Sequence, residues 1–256
     1  MSTRRTVAAT FRKHEPTTIR KPLQRKVALV TGANRGIGLA IAQALASEGY
    51  DLVITGRNQS ALNQASKSFS RTTHVLAMKC DVRYPQEVKA LFTAVKKHFH
   101  RLDVLVNNAG IAHPNLSAAN LPFESWKQVI DTNLTGMFLV TQASLPLMKR
   151  GGAIVNNLSI AAKRVFSGSS AYIASKHGAL GFTNTLREEL RGRGIRVIAL
   201  LPGATDTAIW KTFWPQAPRK KMMSAHVVAS AVVQALSVPP ESTVEELVIL
   251  PSAGVL

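Results

Sequence analysis

The stretch VALVTGANRGIGLAIAQALASEG, residues 27–49, decides how the rest of the chain is read. Its first part, VALVTG (27–32), is an apolar run without polar alternation, the pattern of a strand covered on both faces. Its second part, IGLAIAQALASEG (37–49), spaces apolar residues by three and four, the period of a helix. Between them lie Gly32, Gly36 and Gly38. Glycine lets the backbone turn sharply and approach a pyrophosphate, and the open N–H groups and dipole of a helix start attract the anion. Strand, glycine loop and helix in that order predict a phosphate cradle. A Gly-rich turn without a ligand is the competing reading, because the spacing GxxxGxG does not match the general fingerprint GxGxxG letter for letter.

Outward from this stretch the same alternation repeats. Apolar runs stand at DLVITG (51–56), HVLAMKC (74–80), LDVLVNN (102–108), GAIVNNLS (152–159), IRVIALLPG (195–203) and ELVILP (246–251). Between them, residues 85–99, 124–150, 170–194 and the region near 225–236 carry helical spacing. Seven runs buried on both faces, separated by helices, predict a single-domain α/β fold: a Rossmann-type, doubly wound parallel sheet of about seven strands with helices on both faces. Residues 203–223 are the one Pro- and aromatic-rich irregular stretch after the amino-terminal segment, and they are the candidate substrate lid.

The chain has 256 residues and 46% hydrophobic content, enough for one core. No apolar run is long enough for a membrane span, and the first residues lack a secretory signal, so a cytoplasmic protein is expected. Net charge is +18; residues 1–26 hold eight Lys and Arg against Glu15, a net +7, and the remaining +11 belongs to the body. Residues 1–25 read as a basic, disordered extension, with a transit segment as the alternative, and 26–256 as the catalytic domain. Cys80 is the only cysteine and reads as a core residue, and the seven histidines show no ligand spacing, so no metal is expected.

The loop TGANRGIG resembles the cofactor loop of the short-chain dehydrogenase/reductase family, and the rest of that family's pattern follows in order. Asn107-Asn108-Ala109-Gly110 ends the fourth run, Asn133 stands in DTNLTG, Ser159 ends the fifth run, and Tyr172-Ile-Ala-Ser-Lys176 opens a long helix. Pro202-Gly203, with Thr207 beyond, ends the sixth, so the likeness spans residues 26–256. It implies that Asn133, Ser159, Tyr172 and Lys176 are catalytic, with Tyr172 passing the proton in a carbonyl/alcohol hydride transfer. It implies a cofactor site made of Thr31, Gly32, Asn34, Arg35, Gly36, Ile37, Gly38, Arg57, Asp81, Val82, Asn108, Ala109, Gly110, Tyr172, Lys176, Pro202, Gly203 and Thr207.

The chemistry of these residue types agrees with those roles. Tyr172 and Lys176 are four apart and share a helix face, and an ammonium beside a phenol is expected to lower its pKa from near 10. Ser159 offers a hydroxyl to the reacting carbonyl oxygen. The resemblance gives Asn133 a water that links Lys176 to solvent, and gives Lys176 a bond to the nicotinamide ribose. Taken alone, a Tyr and a Lys four apart are an ordinary amphipathic face, and Asn133 or the 107–110 segment could serve as caps.

Cofactor choice turns on the residue after the second strand. A carboxylate there suits the ribose 2′-hydroxyl of NAD, whereas arginine suits a 2′-phosphate. This chain places Arg57 there and Arg35 in the glycine loop, which predicts NADP; two solvated surface charges are the competing reading. Substrate walls are expected from Ala112, His113, Ala161, Ala162, Val165, Phe166, Trp210, Phe213 and Trp214. The likeness extends to 3-oxoacyl carrier-protein reductases and ketone reductases, which implies a ketone or 3-oxoacyl thioester, an acidic carrier protein as a partner to test, and a homo-oligomer, tetramer or dimer. The alternative is a non-catalytic NADP-binding regulator or a basic nucleic-acid-binding protein on the same fold, with nucleic acid the less favoured partner.

Overall fold

The computed structural model describes residues 25–239 and 241–254. The extension expected over 1–25 falls outside these residues except for Arg25. That side chain is already tied to the body, donating to the Thr72 carbonyl (2.6 Å) with Asp51 at 3.7 Å.

The sheet is built of β1 (Val27–Thr31), β2 (Asp51–Gly56), β3 (Val75–Lys79), β4 (Leu102–Asn107), β5 (Met148–Asn157), β6 (Arg196–Pro202) and β7 (Glu246–Ile249). Every pairing is parallel and the order is β3-β2-β1-β4-β5-β6-β7. The five residues of β1 are each at most 2% exposed, as an unalternated apolar run requires. Side chains still alternate between faces. Ala28 and Val30 pack under α1 (Gly36–Ser47) and α8 (Ala225–Ser237), while Val27 and Leu29 pack under α3 (Pro85–Phe99), α5 (Gly136–Ser144) and α6 (Ser170–Arg191). The strand order reverses direction between β1 and β4, so the loops leaving those two strands part at the sheet's carboxyl edge and open a crevice. Among the described residues no helix is long and apolar enough to cross a membrane.

Three local expectations are corrected. The helical spacing over 124–150 hides a break: α4 (Phe123–Ile130) passes through a π-helical turn (Asp131–Thr135) into α5, which stops at Ser144. Pro146 explains the stop, because a proline in a helix interior removes a hydrogen bond and clashes with the preceding turn. The freed residues join the sheet, so β5 begins at Met148 rather than 152, and its register with β4 jumps from Leu102–Met148 to Val104–Ala153 across Gly151, which adopts φ +87°. Between β2 and β3 runs a helix the periodicity did not reveal, α2 (Gln59–Ser66). Its sequence QSALNQAS buries only Leu62 and Ala65, and the Asn58 side chain caps it by accepting from Ala61 N at 2.9 Å.

Candidate active site

The glycine loop is shaped by contacts a side chain would destroy. Gly32 and Gly36 adopt φ of +64° and +58°. A Cβ on Gly38 would stand 2.3 Å from Asn108 Nδ2 and 2.5 Å from the Gly32 carbonyl, so helix α1 can approach the loop only with glycine there. Among the described residues no side chain caps the start of α1, and its first turn holds no acid, which leaves the positive end of the helix facing the crevice.

The loop is bolted to the neighbouring strands. Thr31 Oγ1 accepts from the backbone N–H of Asn108 and of Ala109, both at 2.9 Å, and Asn108 Nδ2 donates to the Thr31 carbonyl at 2.8 Å. Asn157 Nδ2 donates in turn to Asn108 Oδ1 at 2.8 Å, so the ends of β1, β4 and β5 form one hydrogen-bonded unit. Below it, Asn107 Nδ2 donates to Asn156 Oδ1 (2.8 Å) and Thr141 Oγ1 (2.9 Å).

A cleft of about 800 Å³ opens above this unit. Its wall includes Gly32, Asn34, Arg35, Gly36, Ile37, Arg57, Asp81, Val82, Asn108, Ala109, Gly110, Ser159, Tyr172, Lys176, Pro202, Gly203 and Thr207, so most of the sequence-derived site residues converge. Three do not line it: Thr31 and Gly38 act beneath it as described, and Asn133 sits in the π turn. There its Oδ1 accepts from Ile111 N (2.8 Å), and its Nδ2 donates to the Ile111 carbonyl (2.9 Å) and to Ser175 Oγ (3.0 Å). The side chain clamps the loop after β4 against α6.

Of the expected substrate wall, Ala112, Ala161, Phe166, Trp210, Phe213 and Trp214 line the cleft. His113 is 2% exposed and turned into the body, with Nδ1 2.7 Å from the Pro114 carbonyl; Ala162 belongs to the core; and Val165 is 77% exposed to solvent. Those three fall outside the wall. Sequence reasoning missed Asn157 and Thr132, both in the wall. Only Asn157 had left a signal, since adjacent strand residues face opposite sides and the pair Asn156-Asn157 must send one amide each way.

Tyr172 and Lys176 open helix α6 beside Ser159, at the carboxyl end of β5. Lys176 Nζ donates to the Asn157 carbonyl at 3.0 Å and stands 5.6 Å from the centre of the Tyr172 ring. Burial brings the Lys176 ammonium down to about 8. The phenol, expected to be lowered, is instead raised: burial pushes it up and the neighbouring Ser159 hydroxyl only partly pulls it back. The lid supplies a visible part of that burial. Helix α7 (Trp210–Phe213) sets the Phe213 ring 5.7 Å from the Tyr172 ring, with Trp210 5.7 Å beyond it. Trp210 is fixed by its Nε1 donating to the Thr205 carbonyl (2.8 Å), and the lid's return is joined by an Asp206–Arg219 ion pair.

At the opposite end, Arg35 and Arg57 are exposed at the cleft mouth, and among the described residues neither meets a carboxylate. Asp81 is gripped by Arg83, whose Nε and Nη2 donate to the carboxylate at 3.1 and 2.6 Å. Burial raises the Asp81 carboxyl, but the Arg83 bonds, its charge and that of Arg57 outweigh this and hold it below its usual value. Cys80 is buried, and that burial, with Glu87 and Asp81 nearby, pushes its thiol up to about 12; it is an inert part of the wall.

The family model described as short chain dehydrogenase matches residues 26–218. The chain belongs to the short-chain dehydrogenase family. Its members among known proteins include a 3-oxoacyl-[acyl-carrier-protein] reductase of a Synechocystis strain, 41% identical over 72% of this chain and 76% of that protein. The solved structures of this family extend the likeness to the whole fold. An alcohol dehydrogenase of the archaeon Thermococcus sibiricus, complexed with 5-hydroxy-NADP, superposes with a TM-score of 0.83 at 31% identity, covering 89% of this chain and 97% of that one. A 3-ketoacyl-(acyl-carrier-protein) reductase of Brucella melitensis, complexed with NADH, does so with a TM-score of 0.81 at 28% identity, covering 90% and 99%. This short-chain dehydrogenase is thus an oxidoreductase whose structural neighbours bind nicotinamide cofactors.

Proposed function

We propose that this short-chain dehydrogenase is an NADP-dependent carbonyl reductase, converting a ketone or 3-oxoacyl thioester to the secondary alcohol with Tyr172 as general acid. The observation that carries the reading is the meeting of Ser159, Tyr172 and Lys176 in the same cleft as an uncapped glycine-loop helix. The wall fits a polar dinucleotide, because Asn157 Oδ1 and Thr132 Oγ1 are buried there without a partner among the described residues, a state that buried polar atoms seldom keep unless a ligand or water satisfies them.

The residues divide the work. The loop from Thr31 to Gly38, with Asn34 and Ile37, would hold the pyrophosphate, and Arg35 and Arg57 a 2′-phosphate. Asp81 and Val82 would face the adenine, Asn108, Ala109, Gly110 and Lys176 the riboses, and Pro202, Gly203 and Thr207 the nicotinamide end. When bound, the dinucleotide supplies the hydride. Ser159 donates a hydrogen bond to the carbonyl oxygen and Tyr172 gives that oxygen its proton as charge develops. A phenol held above its usual pKa keeps that proton at neutral pH, which suits a donor, and the Lys176 cation stabilises the phenolate left behind. Asn133 keeps the loop at Ile111 in place beside them.

The deciding measurement is the dissociation constant of NADPH against that of NADH, by nucleotide fluorescence. NADPH is expected to bind more tightly by about tenfold or more, the value of one or two charge-assisted hydrogen bonds. Equal affinities would remove the NADP assignment. A carrier-protein substrate would dock on the basic body, so its turnover should fall steeply with salt; a rate indifferent to salt would remove that partner. A homo-oligomer is supported by the exposed Phe123, Trp126 and Phe138 on α4 and α5, with Phe138 edge-on to Phe182 of α6 at 6.0 Å. Sedimentation of the Phe138→Glu chain is expected to show dissociation.

A further inference from the structure

The cleft is divided by charge. Among the described residues its charged wall residues are Arg35, Arg57, Asp81 and Lys176; Lys176 stands at the junction, the other three belong to the glycine-loop end, and none of them is on the lid side. Three of the polar side chains on that side are already committed. Asn115 Nδ2 donates to the Ser167 carbonyl (3.3 Å), Ser169 Oγ to the same carbonyl (3.4 Å), and Trp210 Nε1 to Thr205. A phosphorylated or carboxylated substrate would lose its hydration there and, among the described residues, meet no cation on that side. What the lid side does offer is rings: Phe166, and the run Trp214, Trp210, Phe213, Tyr172 in which successive neighbours have centroids 6.5, 5.7 and 5.7 Å apart. Phe213 lies tilted at 43° to Tyr172, so the ground nearest the proton donor is occupied by a flat apolar ring of this chain.

We infer that the lid side of this cleft selects an uncharged ketone carried on or beside a flat ring, with Phe213 as the specificity-determining residue. This rests on the carbonyl-reductase reading above. A ring seated between Phe213, Trp214 and Phe166 makes aromatic contacts that add to the area buried. A flexible chain of equal carbon count makes none of these and loses rotor freedom on binding.

The test compares kcat/KM for 2-tetralone and for 2-decanone, both uncharged and of equal carbon count, with NADPH and the full chain. The ring ketone is expected to be favoured about tenfold, the value of two or three such contacts. In Phe213→Ala that ratio should fall toward unity, whereas Phe213→Tyr should restore it. Equal specificity constants in the unaltered chain, a preference for 2-decanone, or a ratio that survives Phe213→Ala would overturn the inference. Binding supplies a second reading: quenching of tryptophan fluorescence by 2-naphthol should saturate at lower concentration than any change produced by 2-octanol. No turnover of any ketone would break the reductase reading, and the quenching comparison would still decide for or against the ring-selective wall.

Discussion

The two ends of the cleft are held by different physics. At the glycine-loop end, Thr31, Asn108 and Asn157 connect three strand termini by hydrogen bonds of 2.8–2.9 Å, and Gly38 is packed so closely that a methyl group has no room. At the lid end, backbone bonds tie its base to Met223 and Ile249, but over the cleft the side chains meet ring against ring, beside the Trp210 indole hydrogen bond and a partly exposed ion pair. Directional bonds have one good geometry, whereas ring contacts lose little over several orientations. The first end therefore has one well-defined geometry, and the second tolerates several.

The sharpest way to break this comparison lies at the seam between the ends. Tyr172→Phe removes the proposed proton donor and keeps the ring beside Phe213, so kcat should fall by roughly 10²–10⁴ while NADPH affinity is retained. Turnover close to that of the unaltered chain would end the proposed mechanism. At the glycine-loop end, Arg57→Ala should weaken NADPH by about tenfold to a hundredfold and leave NADH nearly unmoved; a parallel loss for both would show that the arginine reads something other than the 2′-phosphate. Asn157→Leu removes the donor to Asn108 Oδ1, a partly buried acceptor, at a cost of about 0.5–1.5 kcal/mol. Its predicted signature is a higher dissociation constant for NADPH and a lower melting temperature together, read by fluorescence and calorimetry.

Protonation offers a subtler probe of the seam. The Lys176 pKa is brought down to about 8, and its cation is the acid form, so the charge is present below that pH and is lost above it. With saturating substrate, kcat for reduction should hold up to about pH 8 and then drop toward a tenfold loss per unit. A rate that stays level well past that point would separate Lys176 from the proton step. The smallest effect belongs to the lid. Arg219→Ala breaks a partly exposed ion pair and should change stability by no more than about 1 kcal/mol. A much larger loss in thermal unfolding would mean that the lid end is as tightly fixed as the other.

Much of this was legible in the sequence, for reasons that can be named. Val27–Thr31 lacks polar alternation because both faces of β1 are covered, and the glycines at 32, 36 and 38 report backbone conformations and close approaches that other residues cannot adopt. Tyr172 and Lys176 share a helix face by spacing alone. What escaped was non-local. The π turn at 131–135 inserts its irregularity into a stretch whose apolar spacing still resembles one helix, and α2 buries too few residues to print a period.

The direction of the phenol's pKa shows the division most clearly. Sequence alone determined that a cation would lie near Tyr172, since four residues of helix bring both to one side. Only the tertiary structure decided that burial would raise the phenol, with the Ser159 hydroxyl pulling it partly back, because the ring beside Tyr172 comes from Phe213 and the backbone carbonyl holding Lys176 comes from Asn157. Spacing along a chain fixes which neighbours a side chain has on its own element. How much water it keeps depends on segments that arrive from elsewhere.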